Sequence, residues 1–215
     1  MFVRQFLLLI ILIIPSVVAG QEVLWDTTFV VKTLSFKVVA GRTDSGSYAQ
    51  IVRETDTTTI DGVSARLDVL YFNNDSFPDI IVGYMGNNVT EELYLFDSLS
   101  SAYVFVEDFI SFPQATSLEA DTNYYYSYRR AGCADMNWQS DLFYIKNFKT
   151  YQLGSIYGQG CDFEDTPRLI EISKVDSSGK DVALETLPIE AISNFQDYKW
   201  GFIKNYWNKN LVRFK

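Results

Sequence analysis

The chain of 215 residues carries 27 Asp and Glu against 18 Lys and Arg, a net charge of −9, and has no histidine. The acid excess argues against nucleic acid as a ligand, because phosphates require a basic footprint. The missing imidazole excludes Ser-His-Asp and Cys-His nucleophiles and histidine-based zinc sites together, while carboxylate-pair glycoside hydrolysis, which needs only two placed acids, stays open.

At the start, Arg4 precedes an uninterrupted apolar run from Phe6 to Ile14. Pro15 breaks the run, and Ala19 and Gly20 offer a cleavage point. This is the pattern of a secretory signal peptide over residues 1–20. The run is shorter than the roughly 20 residues of a membrane span, so no span is expected in the mature chain. Residues 21–215 are expected to form a single domain, periplasmic or secreted.

The mature part opens in extended pattern. Leu34, Phe36 and Val38 alternate with Ser35 and Lys37, the period of a half-buried strand, and a turn follows between Gly41 and Gly46. Ile51, Val52 and the threonines at 57–59 continue the β-rich theme. The stretch from Asp68 to Val82 then places oxygen-bearing side chains in a turn that feeds an apolar run. Calcium loops take ligands at about positions 1, 3, 5 and 9 and a backbone carbonyl at 7. Asn73, Asp75 and Asp79 match the third, fifth and ninth positions, and Phe77 supplies the carbonyl. Tyr71 and Ser76 stand where a carboxylate and a glycine are usual, so a Ca2+ site competes with an Asx-turn whose side chains serve local backbone donors.

Beyond this loop the chain reads as hairpins. Paired extended runs flank turn residues at 93–106, at 142–153 and at 206–214. A spacing of about 50 residues is what propeller blades show, so the expected class is all-β: antiparallel hairpin repeats in a small β-propeller-like fold, with a β-sandwich as the alternative. A short helix fits between Pro188 and Trp200. Cys133 and Cys161, an even count in an exported chain, are expected to form a disulfide. Asn87, Asn88 and Glu91 are candidate partner-binding residues in a loop. Arg129 and Arg130 fit either a contact patch or one solvated arginine beside a structural ion pair. The tyrosines at 124–126 fit either sugar stacking or a strand whose alternate rings face the core.

Three pieces stand in order: Asn73-x-Asp75-Ser76-Phe77-Pro78-Asp79-Ile80, Tyr128-Arg129-Arg130-Ala131-Gly132-Cys133, and Leu142-Phe143-Tyr144-Ile145 with its hairpin running to Cys161. Over residues 64–162 the chain in this respect resembles a family of bacterial envelope proteins that includes antibacterial immunity proteins, which neutralise lysozyme-like effectors of type IV secretion systems. The resemblance implies a propeller-like fold with an integrin-type calcium loop. It also implies a non-catalytic exported binding protein, an inhibitor or immunity protein against a peptidoglycan hydrolase, with a lysozyme-like toxin as partner. Two other readings stand beside it: a carboxylate-dependent glycan-processing enzyme, and a calcium-stabilised adhesion or structural module.

Overall fold

The computed structural model describes residues 22–53, 56–61, 66–84, 86, 88–161 and 167–215. The expected signal peptide lies outside them. Strands β1 (Glu22–Val31), β2 (Leu34–Thr43), β3 (Gly46–Arg53) and β4 (Asp56–Asp61) form a first four-stranded antiparallel meander. Strands β5 (Arg66–Leu70), β6 (Asp79–Tyr84), β7 (Thr90–Asp97) and β8 (Ala102–Phe105) form a second. The third sheet has seven strands: β9 (Thr116–Ser117), β10 (Tyr124–Tyr126), β11 (Arg129–Arg130), β12 (Asn137–Lys146), β13 (Lys149–Gln159), β14 (Leu169–Val175) and β15 (Asp181–Pro188).

The side-chain period of two decides how these sheets stack. In β6, Ile80 and Val82 join Phe36, Val38 and Ile51 of the first sheet, while Ile81 points the other way. In β7, Tyr94 and Phe96 face the first sheet, and Leu93 and Leu95 face Tyr125 and Phe143 of the third. The second sheet is therefore a middle layer with both faces covered, which is why its strands read as nearly continuous buried runs.

Both internal hairpins expected from sequence are present, as β7–β8 and β12–β13. The third is not. Residues 206–214 fall in helix α1 (Lys199–Asn210) and a 3₁₀ turn, Leu211–Arg213. Phe202, Ile203, Tyr206, Trp207, Leu211 and Phe214 recur three and four residues apart, a helical period that outweighs the strand-like look of Tyr206-Trp207. The helix lays this stripe on Trp138, Leu142, Ile156, Ile170 and Ile172. Trp207 is fully buried, and its Nε1 donates to Ser140 Oγ at 2.8 Å. The short helix expected after Pro188 is a 3₁₀ helix, Ile189–Asn194. The stack thus ends in a helix with no closed barrel, and the all-β class holds in an open form: three antiparallel sheets layered as in a sandwich. No helix among the described residues is long and apolar enough to cross a membrane.

Candidate ligand-binding groove

Two neighbouring clefts, both lined by Gln114 and Tyr128, are described together as one groove with two lobes. The larger, about 340 Å³, is lined by Tyr126, Tyr128, Asp197, Trp200 and Lys204. The smaller, about 170 Å³, lies against Asn88, Val89, Arg129 and Arg130.

Each wall is held by identifiable bonds. The Gln114 N–H donates to Glu91 Oε2 at 2.8 Å, and the Tyr128 N–H to the Pro113 carbonyl at 3.0 Å. The Tyr128 hydroxyl donates to Asp135, whose other carboxylate oxygen receives Lys199 Nζ at 2.8 Å. Burial pushes the Asp135 carboxyl up, but hydrogen bonds from Lys199 and Tyr128 and the charges of Lys199 and Arg130 leave it below the usual carboxylate range. Lys199 lies over the rings of Tyr128 and Trp200 at 5.3 and 5.5 Å, tying the start of α1 to β10 and β11.

Asp135 reaches this position from a strained turn. Cys133, Ala134 and Asp135 have φ of 53°, 50° and 72°, left-handed values that cost a non-glycine residue about 1 kcal/mol or more each. The expected disulfide, Cys133–Cys161, pins the turn to the end of β13, with Cα atoms 6.2 Å apart. Asn137 Oδ1 supports the joint, accepting the N–H groups of Gly160 and Cys161 at 3.1 Å each. A second strained pair, Asp197 and Tyr198 at φ 65° and 51°, stands just before α1, and Gln114 has φ 53°. Of the twelve left-handed non-glycine residues among the described ones, Gln114 and Asp197 line this groove, and the turn Cys133–Asp135 braces Tyr128 through Asp135. Such strain persists where the surrounding structure over-determines it, as functional sites do.

The two arginines divide as one of the sequence readings allowed. Arg129 faces the buried carboxylate of Asp141 at 3.6 Å. Burial raises Asp141 above the usual range, with Arg129 and the Gln139 side chain opposing that. Arg130 has a side chain 64% exposed and only a long contact, 3.9 Å, to Asp135. Of the tyrosines, Tyr125 is in the core between the second and third sheets, while Tyr126 reaches the groove. Asn88 is exposed on the groove rim, and Asn87 lies outside the described residues. Glu91 is 4% exposed and faces inward, where it positions Gln114.

The calcium-like loop lies elsewhere, at the edge of the second sheet. Asp79 is fully buried; its Oδ2 accepts the N–H groups of Phe72 and Asn73 and its Oδ1 that of Phe96. Burial pushes its pKa up to about 6, against those hydrogen bonds, and nearby Asp75 adds to the rise. Asp75 accepts the Phe77 N–H at 2.7 Å and the Asn73 amide at 2.8 Å, and Asn73 Oδ1 accepts the Asp75 N–H at 3.1 Å. Every side-chain oxygen of Asn73, Asp75 and Asp79 thus accepts at least one N–H group. These bonds make an Asx ladder. Among the described residues no group of three or more acidic or cysteine side chains is placed to hold a metal.

No family model matches the chain, and no curated protein is significantly similar to it. Among solved structures the chain is similar to one described as a Xanthomonas type IV secretion system related protein. The identity is 14%, the likeness covers 74% of this chain and 93% of that one, and the TM-score is 0.48. A likeness of that size carries no functional meaning by itself.

Chemically, the groove offers aromatic faces, amide groups and guanidinium donors, and among the described lining residues Asp197 is the carboxylate. Two further clefts, one beside Phe29, Tyr71 and Phe77 and one beside Phe36, Arg53 and Tyr103, show no acid among their lining residues. Sequence reasoning missed Gln114, Asp135, Lys199 and Trp200, because four separate segments come together only in the fold. Trp200 had a misleading signal: it lies three residues before Ile203 and seven before Trp207, on the stripe that should be buried, yet it is 45% exposed.

Proposed function

We propose that this is a non-catalytic exported binding protein that docks a second exported protein, a peptidoglycan hydrolase of the lysozyme type, on the groove face and inhibits it. The observation that carries this reading is the convergence of strained backbone on a groove presenting Trp200, Arg130 and Asn88 to solvent with one acid in its lining. Strained, cross-braced walls lower the ordering cost of association, and tryptophan and arginine are the residues that most often dominate interface energy. A retaining or inverting glycosidase needs two carboxylates about 5 to 10 Å apart in a cleft, and among the described residues the lining of the groove includes one, Asp197. The disulfide fits an oxidising compartment, and the resemblance across residues 64–162 points to the same partner class. The net charge of −9 favours encounter with a basic hydrolase at low salt.

The test is clearing of a cell-wall suspension by exported lysozyme-like hydrolases as purified protein is added. A linear loss of activity that reaches zero near one equivalent is expected, with no clearing by the protein alone. Clearing by the protein alone, abolished when two of its carboxylates are replaced, would overturn the reading in favour of an enzyme.

A further inference from the structure

We infer that the groove is also a binding site for an anionic saccharide: a sugar ring stacks on Trp200 in the larger lobe while its carboxylate is held by Arg130 in the smaller one. This goes beyond inhibition of a hydrolase and needs no protein partner.

The larger lobe has the composition that sugars select. A pyranose ring presents a face of C–H groups and an edge of hydroxyls, so it calls for an aromatic plane flanked by donors and acceptors. Trp200 supplies the plane at 45% exposure, with its neighbour Tyr198 at 66%. An indole so open to water is costly for a residue on the helix's buried stripe unless something covers it. Around it stand the Gln114 amide, the Asp197 carboxylate and the Lys204 ammonium, able to meet hydroxyl groups in both directions. The Trp200 ring is preset: its centroid lies 3.8 Å from that of Tyr128, which is itself fixed by its bond to Asp135. At about 340 Å³ the lobe falls at the small end of ligand pockets, which suits one or two rings.

The neighbouring lobe sets the charge. Four cations, Arg129, Arg130, Lys199 and Lys204, meet at this groove in a chain whose net charge is −9. Arg129, Lys199 and Lys204 are each committed to an acid, at 3.6, 2.8 and 2.7 Å. Arg130 is the most open of the four: it meets Asp135 only through Nε, at 3.9 Å, and its side chain is 64% exposed, so its planar fork can match a further carboxylate bidentately. Shared walls at Gln114 and Tyr128 place the fork one lobe away from the stacking plane, where an acidic substituent of the ring, or of the next ring, would lie.

The probes are a trigalacturonate, which is acidic, and chitotriose, which is neutral, titrated against the full chain by calorimetry and by tryptophan fluorescence. Trp138 and Trp207 are buried, so a sugar on Trp200 is read against a quiet background from those two, and Trp25 is checked by its own Phe variant. The acidic trisaccharide is expected to bind at least tenfold more tightly than the neutral one. Trp200→Ala and, as a milder variant, Gln114→Ala should each weaken it at least tenfold and fivefold respectively. Arg130→Ala should remove the preference for the acidic probe and leave the neutral one unchanged. Absence of binding by both probes, binding unaffected by Trp200→Ala, or equal affinity for the two probes in the unaltered protein would overturn the inference. None of these outcomes depends on inhibition of a hydrolase.

Discussion

At the level of single side chains, Asp135 does the most for the groove, because it accepts from Tyr128 and Lys199 at once. Its carboxyl is held below the ordinary value, so the stability it contributes is fully present above about pH 4 and is lost as pH falls through the lowered folded value. Asn at this position keeps the left-handed turn, which Asn tolerates well, and removes only the charge. Asp135→Asn is therefore expected to cost about 1 kcal/mol at pH 7, the modest end for a charge-assisted bond near solvent, or roughly 2–4 °C in Tm for a chain of this size. The gap in Tm between the two proteins should narrow as pH falls from about 4 through the lowered folded value, because both states of the unaltered carboxyl then become protonated. A gap that stays constant from pH 7 to 3 would show that the loss is steric and not electrostatic.

At the level of elements, the loop from Tyr71 to Asp79 is held by its own N–H groups, which make five of the six side-chain oxygen contacts described above, with Phe96 of β7 making the sixth. Chelation by EGTA is accordingly expected to leave Tm unchanged, while Asp75→Ala lowers stability by about 1–2 kcal/mol through the lost turn bonds. A fall in Tm with EGTA that calcium restores would show instead that the ion binds the folded state and that the loop rearranges to take it. The strands were legible because period-two alternation is strong wherever one face is wet, as in Leu34 to Val38, and because β6 is short, apolar and bounded by turn residues. The final helix was not, since two adjacent aromatics, Tyr206 and Trp207, look the same to a period of two as to one of 3.6 until Phe202, Leu211 and Phe214 are counted with them. The glycines of β13 carried a signal of their own: a Cβ at Gly158 would stand 2.1 Å from the Trp138 ring and one at Gly154 2.5 Å from Phe214, so two aromatic rings lie flat where the strand lacks side chains.

At the level of the whole molecule, three sheets and a helix make a stiff stack, and the groove lies where segments far apart in sequence meet: Gly86, Asn88 and Val89, Gln114, β10 and β11, and the start of α1. The disulfide was legible from an even cysteine count, but its role in holding Asp135 under Tyr128 was not, because nothing local in the sequence marks three left-handed residues in a row. The arginine pair was legible as a pair, and only the fold shows which of the two is spent on Asp141. The most direct measurement is the affinity of an inhibited lysozyme-like hydrolase for two altered proteins. One carries Asn88→Ala with Arg130→Glu on the groove; the other carries Leu99→Ser with Val212→Ser, two side chains 95% and 82% exposed away from it. Loss of about 100-fold in Kd is expected for the groove variant, in line with hot-spot replacements of about 3 kcal/mol, and no change for the other. Equal affinities for the two, or a loss confined to the second, would contradict the assignment of the groove as the binding surface.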